Sequence, residues 1–169
     1  MKNETVARAP ARNGTGLAGL YAGHRLALVR LAMLLVGDRE SAEDIVQDVF
    51  SRLHARRQET FTLAYVRVCV LNASRSVLRR RRVAVKAPLG PTEVADSAET
   101  AALLGESRLE MLAALDRLPR RQREVLVLRY YLDLSDADIA RATGVRESTV
   151  RSNISRALDR LERELGGKA

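Results

Sequence analysis

Between Leu134 and Val150 the chain reads LSDADIARATGVRESTV, and the offsets of its small, turn-forming and plugging residues are those of a helix-turn-helix. Ser135 stands where a short side-chain oxygen can cap the first helix. Ala140 is small where two helices must cross closely, and Gly144 falls where the turn needs a permissive backbone. Val145 and Val150 plug the angle between the helices. At about 100° per residue, the second helix gathers Val150, Ile154, Ala157, Leu158 and Leu161 on one side. The other side presents Ser148, Ser152, Ser155, Arg156 and Asp159, with Arg151 on the flank. Short polar side chains beside arginines let a helix approach base edges and donate to guanine acceptors or phosphates. The chemistry on offer is recognition of duplex DNA. An ordinary helical hairpin shares the amphipathic period but does not require the fixed offsets of small residue, glycine and plugs.

Reaction chemistry is not visible. The sequence contains no Ser/His/Asp set, no phosphate-cradling glycine loop and no metal-ligand spacing. Cys69 is the single cysteine, which excludes an internal disulfide and a four-cysteine zinc site. His24 and His54 leave little for a histidine-rich metal cluster. The expectation is a protein with no catalytic residue, no metal and no cofactor, and with Cys69 as a buried structural thiol.

The scaffold for the DNA-reading face must come from 169 residues with 46% hydrophobic content and a net charge of +8. That is enough apolar material for a packed core. The charge is uneven: residues 1–84 hold 15 Lys+Arg against 7 Asp+Glu, residues 85–110 hold 2 against 5, and residues 111–169 hold 12 against 9. Two basic blocks flank an acidic connector, and a polyanion such as nucleic acid is the natural partner of the basic blocks.

Helical spacing accounts for both blocks. Residues 1–16 lack an apolar period and read as a tail. Leu17, Leu20, Tyr21, Leu28, Leu31 and Leu35 mark a first helix, with Gly37 as its stop. A second helix starts near Ser41, where Ser41 and Asp44 resemble a capping box, and buries Ala42, Ile45, Val46, Val49, Phe50 and Leu53. Arg56 to Thr62 reads as a loop. A third helix runs from about Leu63 to Arg82 and ends in four arginines, Arg79 to Arg82. Residues 84–104, with Pro88, Gly90 and Pro91, read as a flexible acidic linker containing the domain boundary. Leu109, Leu112, Ala113 and Leu115 mark a helix stopped by Pro119, and Arg120 to Tyr131 mark another. No strand emerges. The fold class is all-α: two small helical domains, 17–83 and 105–169. The longest apolar run, Leu26 to Val36, contains Arg30 and falls short of the roughly 18 residues of a span, so a cytoplasmic protein without a membrane partner is expected.

The N-terminal block narrows the class of DNA-binding protein. The run from Asp38 through Phe50, DRESAEDIVQDVF, resembles the region-two signature of bacterial sigma factors. Ala64-Tyr65-Val66-Arg67-Val68-Cys69-Val70-Leu71-Asn72 is similar to the stretch that follows it. Leu118 to Leu126, LPRRQREVL, and the helix-turn-helix resemble region four. This layout, with region three missing, is similar to that of the small extracytoplasmic-function, or group IV, factors of the sigma-70 family. Tyr65 and the basic tail lean toward the actinobacterial branch.

The resemblance implies roles by position. Glu43, Asp44, Gln47, Asp48 and Phe50 would dock on core RNA polymerase, whose beta and beta-prime subunits become partners. Arg56, Arg57, Phe61, Tyr65 and Asn72 would read the minus-10 element as melted single strand, because an unstacked base needs a pocket and an aromatic surface. Arg75, Arg79 and Arg80 would contact its backbone or the upstream duplex edge. Ser148, Thr149, Arg151, Ser152, Ser155 and Arg156 would recognise minus-35 duplex. Promoter DNA is the second partner, and an anti-sigma factor a candidate third. Arg146, Ser148 and Asn153 depart from the residues frequent in the family at these places, which bears on the promoter sequence read. The alternative is a stand-alone helix-turn-helix regulator with an N-terminal sensor or dimerisation domain, which would bind duplex without polymerase. A non-specific basic adaptor is a third reading, with a steep salt dependence.

Overall fold

The computed structural model describes residues 16–56, 60–86 and 106–166. Seven helices run through them: α1 (Leu17–Val36), α2 (Arg39–Ala55), α3 (Leu63–Lys86), α4 (Glu106–Asp116), α5 (Arg120–Leu126), α6 (Asp136–Thr143) and α7 (Glu147–Gly166). A π-helical turn, Val127–Tyr131, continues α5. The tail as far as residue 15, the linker from residue 87 and Arg57 lie outside the described residues.

α1 is the centre of the molecule. It packs against α2 and α3 on one side and meets α4 and the π-turn on another. Leu28, Leu31, Ala32, Leu35 and Val36 are all buried. By length and composition α1 could cross a membrane, but a helix that is apolar around most of its circumference is also what a two-sided core requires. The helix stops at Gly37, whose φ of +91° closes a backbone bond of 2.9 Å to Met33 O. The left-handed backbone selects glycine, and a Cβ there would also come 2.6 Å from Asp116 Oδ1, so that the carboxylate tip would have to swing aside.

Two boundaries differ from the sequence reading. α2 begins at Arg39, capped by Asp38, whose Oδ1 accepts from Ser41 N–H at 2.8 Å. Ser41 is thus inside the first turn and its amide is the donor that the cap satisfies. Burial alone would raise the Asp38 carboxyl, but hydrogen bonds from Ser41 and Arg81 outweigh it and hold the group below the usual carboxylate range. α3 continues past the arginine run to Lys86, because arginine favours helix and the run does not interrupt the period.

One hydrophobic cluster joins both halves of the chain, from Leu20 in α1 through Val66 and Val70 in α3 to Leu128, Ile139 and Val150. A smaller one, with Leu115, Leu118, Leu126 and Ala157, touches Leu34 of α1. The two helical groups foreseen as tethered modules are packed together in this structure.

Candidate nucleic-acid and polymerase interfaces

The helix-turn-helix is built by local chemistry. Ser135 Oγ accepts from Asp138 N–H at 3.1 Å and donates to Asp138 Oδ2 at 2.6 Å. The Ser135 hydrogen bond is the main reason the Asp138 carboxyl lies below its ordinary range; slight burial opposes it, and Arg141 adds to it. Gly144 adopts φ +70°, and the N–H groups of Gly144 and Val145 both reach Ala140 O, at 2.9 and 3.2 Å. Ile139 and Val150 are fully buried in the larger core cluster and Ala157 in the smaller one with Leu115, Leu118 and Leu126, whereas Leu158, expected inside, is exposed.

The outward side of α7 carries all six candidate minus-35 residues. Ser148, Thr149, Arg151, Ser152, Ser155 and Arg156 are exposed. Their guanidinium groups differ in freedom. Arg151 Nη1 lies 3.6 Å from Asp136 Oδ2 and 3.8 Å from Glu147 Oε2, so a ligand must compete for it. Arg156 has no protein partner among the described residues, and its planar fork of donors is available. Ser152 Oγ donates to Thr149 O at 3.1 Å, leaving the hydroxyl oxygen free to accept.

The candidate minus-10 residues divide into three places. At the start of α3, Arg56 Nη1 donates to Tyr65 Oη at 2.9 Å. Tyr65 lies nearly parallel to Phe61, with centroids 6.0 Å apart and planes 15° apart. Phe61 is 3% exposed and Tyr65 41%, so Phe61 is a core residue that supports the ring above it. Two turns on, Asn72 is exposed and its Oδ1 accepts from Arg75 Nη1 at 3.2 Å. Arg75 turns toward the second half of the chain: Nε donates to Glu124, and Nη2 to Ala142 O at 3.1 Å. Arg79 and Arg80 are exposed near the far end of α3, without protein partners among the described residues. Along the α3 axis, Tyr65 and Arg80 stand about 22 Å apart.

On α2, Asp44 and Gln47 are exposed without partners among the described residues. Glu43 is paired with Arg39 at 2.9 Å, and Asp48 with Arg52. Phe50, expected both on the buried stripe and in the docking set, belongs to the stripe alone: it is buried, edge-on to Tyr21 at 4.9 Å, and packs beneath this face without being part of it.

Sequence reasoning missed the residues that join the halves. Arg123 is buried within α5; Nη1 donates to Leu35 O at 3.0 Å, and Nη2 donates to Asp116 O and pairs with its carboxylate at 2.9 Å. It therefore satisfies carbonyls near the ends of α1 and α4, where helix termini leave acceptors unpaired. Burial pulls its guanidinium below the ordinary arginine range, and Asp116 partly restores it. Tyr131 Oη donates to Ala27 O at 2.9 Å, and burial raises that phenol despite Arg30 and Arg67. Arg81, counted within the basic run, binds Val36 O at 2.8 Å and Asp38 Oδ2 at 2.6 Å and so ties α3 to the α1–α2 corner. The available signal was a pair of charged residues, Arg123-Glu124, directly ahead of the apolar run Val125 to Leu128.

Comparison with known proteins bears on the whole arrangement. The family model for Sigma-70 region 2 matches residues 20–83, and that for Sigma-70, region 4 matches residues 108–161. SigM of Mycobacterium tuberculosis, an ECF RNA polymerase sigma factor, is 35% identical over 151 residues, covering 87% of this chain and 76% of the relative. The chain belongs to the extracytoplasmic-function group of the sigma-70 family. This sigma factor is also 31% identical to SigL of M. tuberculosis, over 95% of this chain and 97% of that one. The RNA polymerase sigma-E factor of Streptomyces coelicolor is 31% identical over 82% of this chain and 80% of its own. Among solved structures, the fold is shared with RpoE of Bartonella quintana, solved with the anti-sigma factor NepR (TM-score 0.65, 23% identity, 89% of this chain and 99% of that one). It is shared too with CnrH, solved with the cytosolic domain of CnrY (TM-score 0.63, 23% identity, 90% of this chain and 89% of that one). An N-terminal sensor or dimerisation domain is not favoured, since that part of the sequence is sigma region 2.

Proposed function

We propose that this sigma factor binds core RNA polymerase in the cytoplasm, directs it to promoters and catalyses no step itself. One observation carries the reading: two sigma regions stand in order on one chain, and each keeps an outward polar surface not consumed by its own packing. α2 docks on the polymerase through Asp44 and Gln47, with Glu43 and Asp48 released from Arg39 and Arg52 as they engage. α7 enters the major groove of minus-35 duplex, with Arg156 and Arg151 donating to bases and phosphates and Ser148, Thr149, Ser152 and Ser155 allowing close approach. Tyr65 over Phe61, with Arg56 beside it, receives an unstacked minus-10 base, while Asn72 offers edge hydrogen bonds and Arg79 and Arg80 hold the backbone. Arg75 joins them only after leaving Glu124. An anti-sigma factor is the regulatory partner to look for, since RpoE was solved with the anti-sigma factor NepR.

The test is run-off transcription with core polymerase and genomic promoter fragments, with and without this chain. New start sites that appear only with the chain are expected. Sequence-specific duplex binding by the chain alone, with no new initiation by the assembled enzyme, would return the stand-alone regulator.

A further inference from the structure

Where α3 passes α5, three arginines crowd one carboxylate and a fourth stands beside them. Glu124 is buried and both its oxygens are engaged, one by Arg75 Nε and the other by Arg121 Nη1 at 3.4 Å. Arg75, Arg120 and Glu124 line one small cavity between the helices, with Leu71 and Leu78 in its wall. Arg79 follows Arg75 by one turn. Arg79 and Arg120 are exposed and have no protein partner among the described residues. Arg120 is pulled below the ordinary arginine range, first by burial; Glu124 opposes this, and the charges of Arg121, Arg75 and Arg79 add to it. One carboxylate does not balance four cations. The excess charge exists only because two halves of the chain meet, since α3 supplies Arg75 and Arg79 and α5 supplies Arg120 and Arg121.

We propose that this junction is a binding site for a compact polyanion of the polyphosphate class, held by Arg79, Arg120 and Arg121 with Arg75 behind them. A duplex offers phosphates in a row. Here Arg75 and Arg121 converge on the one carboxylate of Glu124, Arg120 shares a cavity wall with Arg75, and Arg79 stands one turn along from Arg75, a short-range cluster that suits a ligand whose charges sit on adjacent groups. Arg79 and Arg120 keep all their donors for it. A ligand that bridges α3 and α5 binds the packed arrangement and not the separated one, so it shifts the equilibrium toward packing.

Titration calorimetry of the full chain with inorganic tripolyphosphate tests the site, with orthophosphate as the comparator. One-to-one binding is expected, at least about tenfold tighter than orthophosphate and weakened by added salt. The double variant R79Q/R120Q should lose at least about tenfold in affinity, while the charge-matched R160Q/R163Q should change it less than about twofold. Circular dichroism melts confirm that both variants fold. Absence of binding overturns the assignment, as does equal loss in both double variants, which would mean diffuse attraction. Equal affinity for orthophosphate overturns it too. A short duplex of unrelated sequence that loses the same factor in R79Q/R120Q would give the patch to DNA backbone instead.

Discussion

The Arg75–Glu124 pair gives the sharpest test of how the two regions are held. Glu124 is 3% exposed at its side chain and Arg75 20%, so this is an ion pair with one partner fully desolvated. Replacing Arg75 by Met leaves the carboxylate with only the 3.4 Å contact to Arg121, and a stranded buried charge costs about 3–5 kcal/mol. Replacing Glu124 by Leu is milder, about 2–3 kcal/mol. Arg75 then keeps Asn72 Oδ1 and Ala142 O and retains some contact with water. The double variant R75M/E124L removes both desolvation costs and should lie within about 1 kcal/mol of the parent. The cycle therefore closes with a coupling of at least about 4 kcal/mol, above the roughly 0.5–3 kcal/mol that contacting residues usually show. The assay is urea unfolding followed by circular dichroism at neutral pH and moderate salt. Single substitutions that add to within about 0.5 kcal/mol would refute the reasoning and reduce the pair to an ordinary surface contact.

Three further outcomes are expected. Arg123→Met leaves Leu35 O and Asp116 O without their buried donor and should cost about 2–4 kcal/mol, read as a fall in Tm of about 2–4 °C per kcal/mol. Gly37→Ala meets both the left-handed backbone and Asp116 Oδ1 and should cost about 1–3 kcal/mol; the double change with Asp116→Ala should recover only the steric part. Asp38→Asn keeps a good cap but loses the charge facing Arg81, a cost of about 1 kcal/mol at neutral pH. Because the Asp38 carboxyl is lowered on folding, its contribution is complete above the ordinary carboxylate pKa near 4 and disappears as the pH falls through the lowered native value. Denaturation of parent and variant should therefore converge in acid and diverge toward neutrality.

What was legible in the sequence was local. Gly37, Ser135 and Gly144 act where they were expected because a cap or a left-handed turn is decided by a few neighbouring residues. The start of α2 was misplaced by competition between two good cap residues three apart; Asp38 takes the amide of Ser41, so the serine cannot itself be the boundary. The π-turn at Val127–Tyr131 has no periodic signature that separates it from the α-helix before it. Packing between the regions was invisible to period analysis, because its polar anchors, Arg75, Arg123 and Glu124, look like solvated charge until their partners dozens of residues away are known. α1 held the overlooked hint: its apolar residues do not keep to one stripe, which a helix with a single covered face would not need.

That same helix constrains how the molecule can open. Pulling α4 and the π-turn away from α1 would strip the covering from Leu34, Leu35 and their neighbours and offer water a contiguous greasy strip. Solvent penalises such a strip, and neighbouring molecules in solution tend to stick to it. Separation therefore becomes favourable only in company, when another macromolecule shields what the departing helices had shielded.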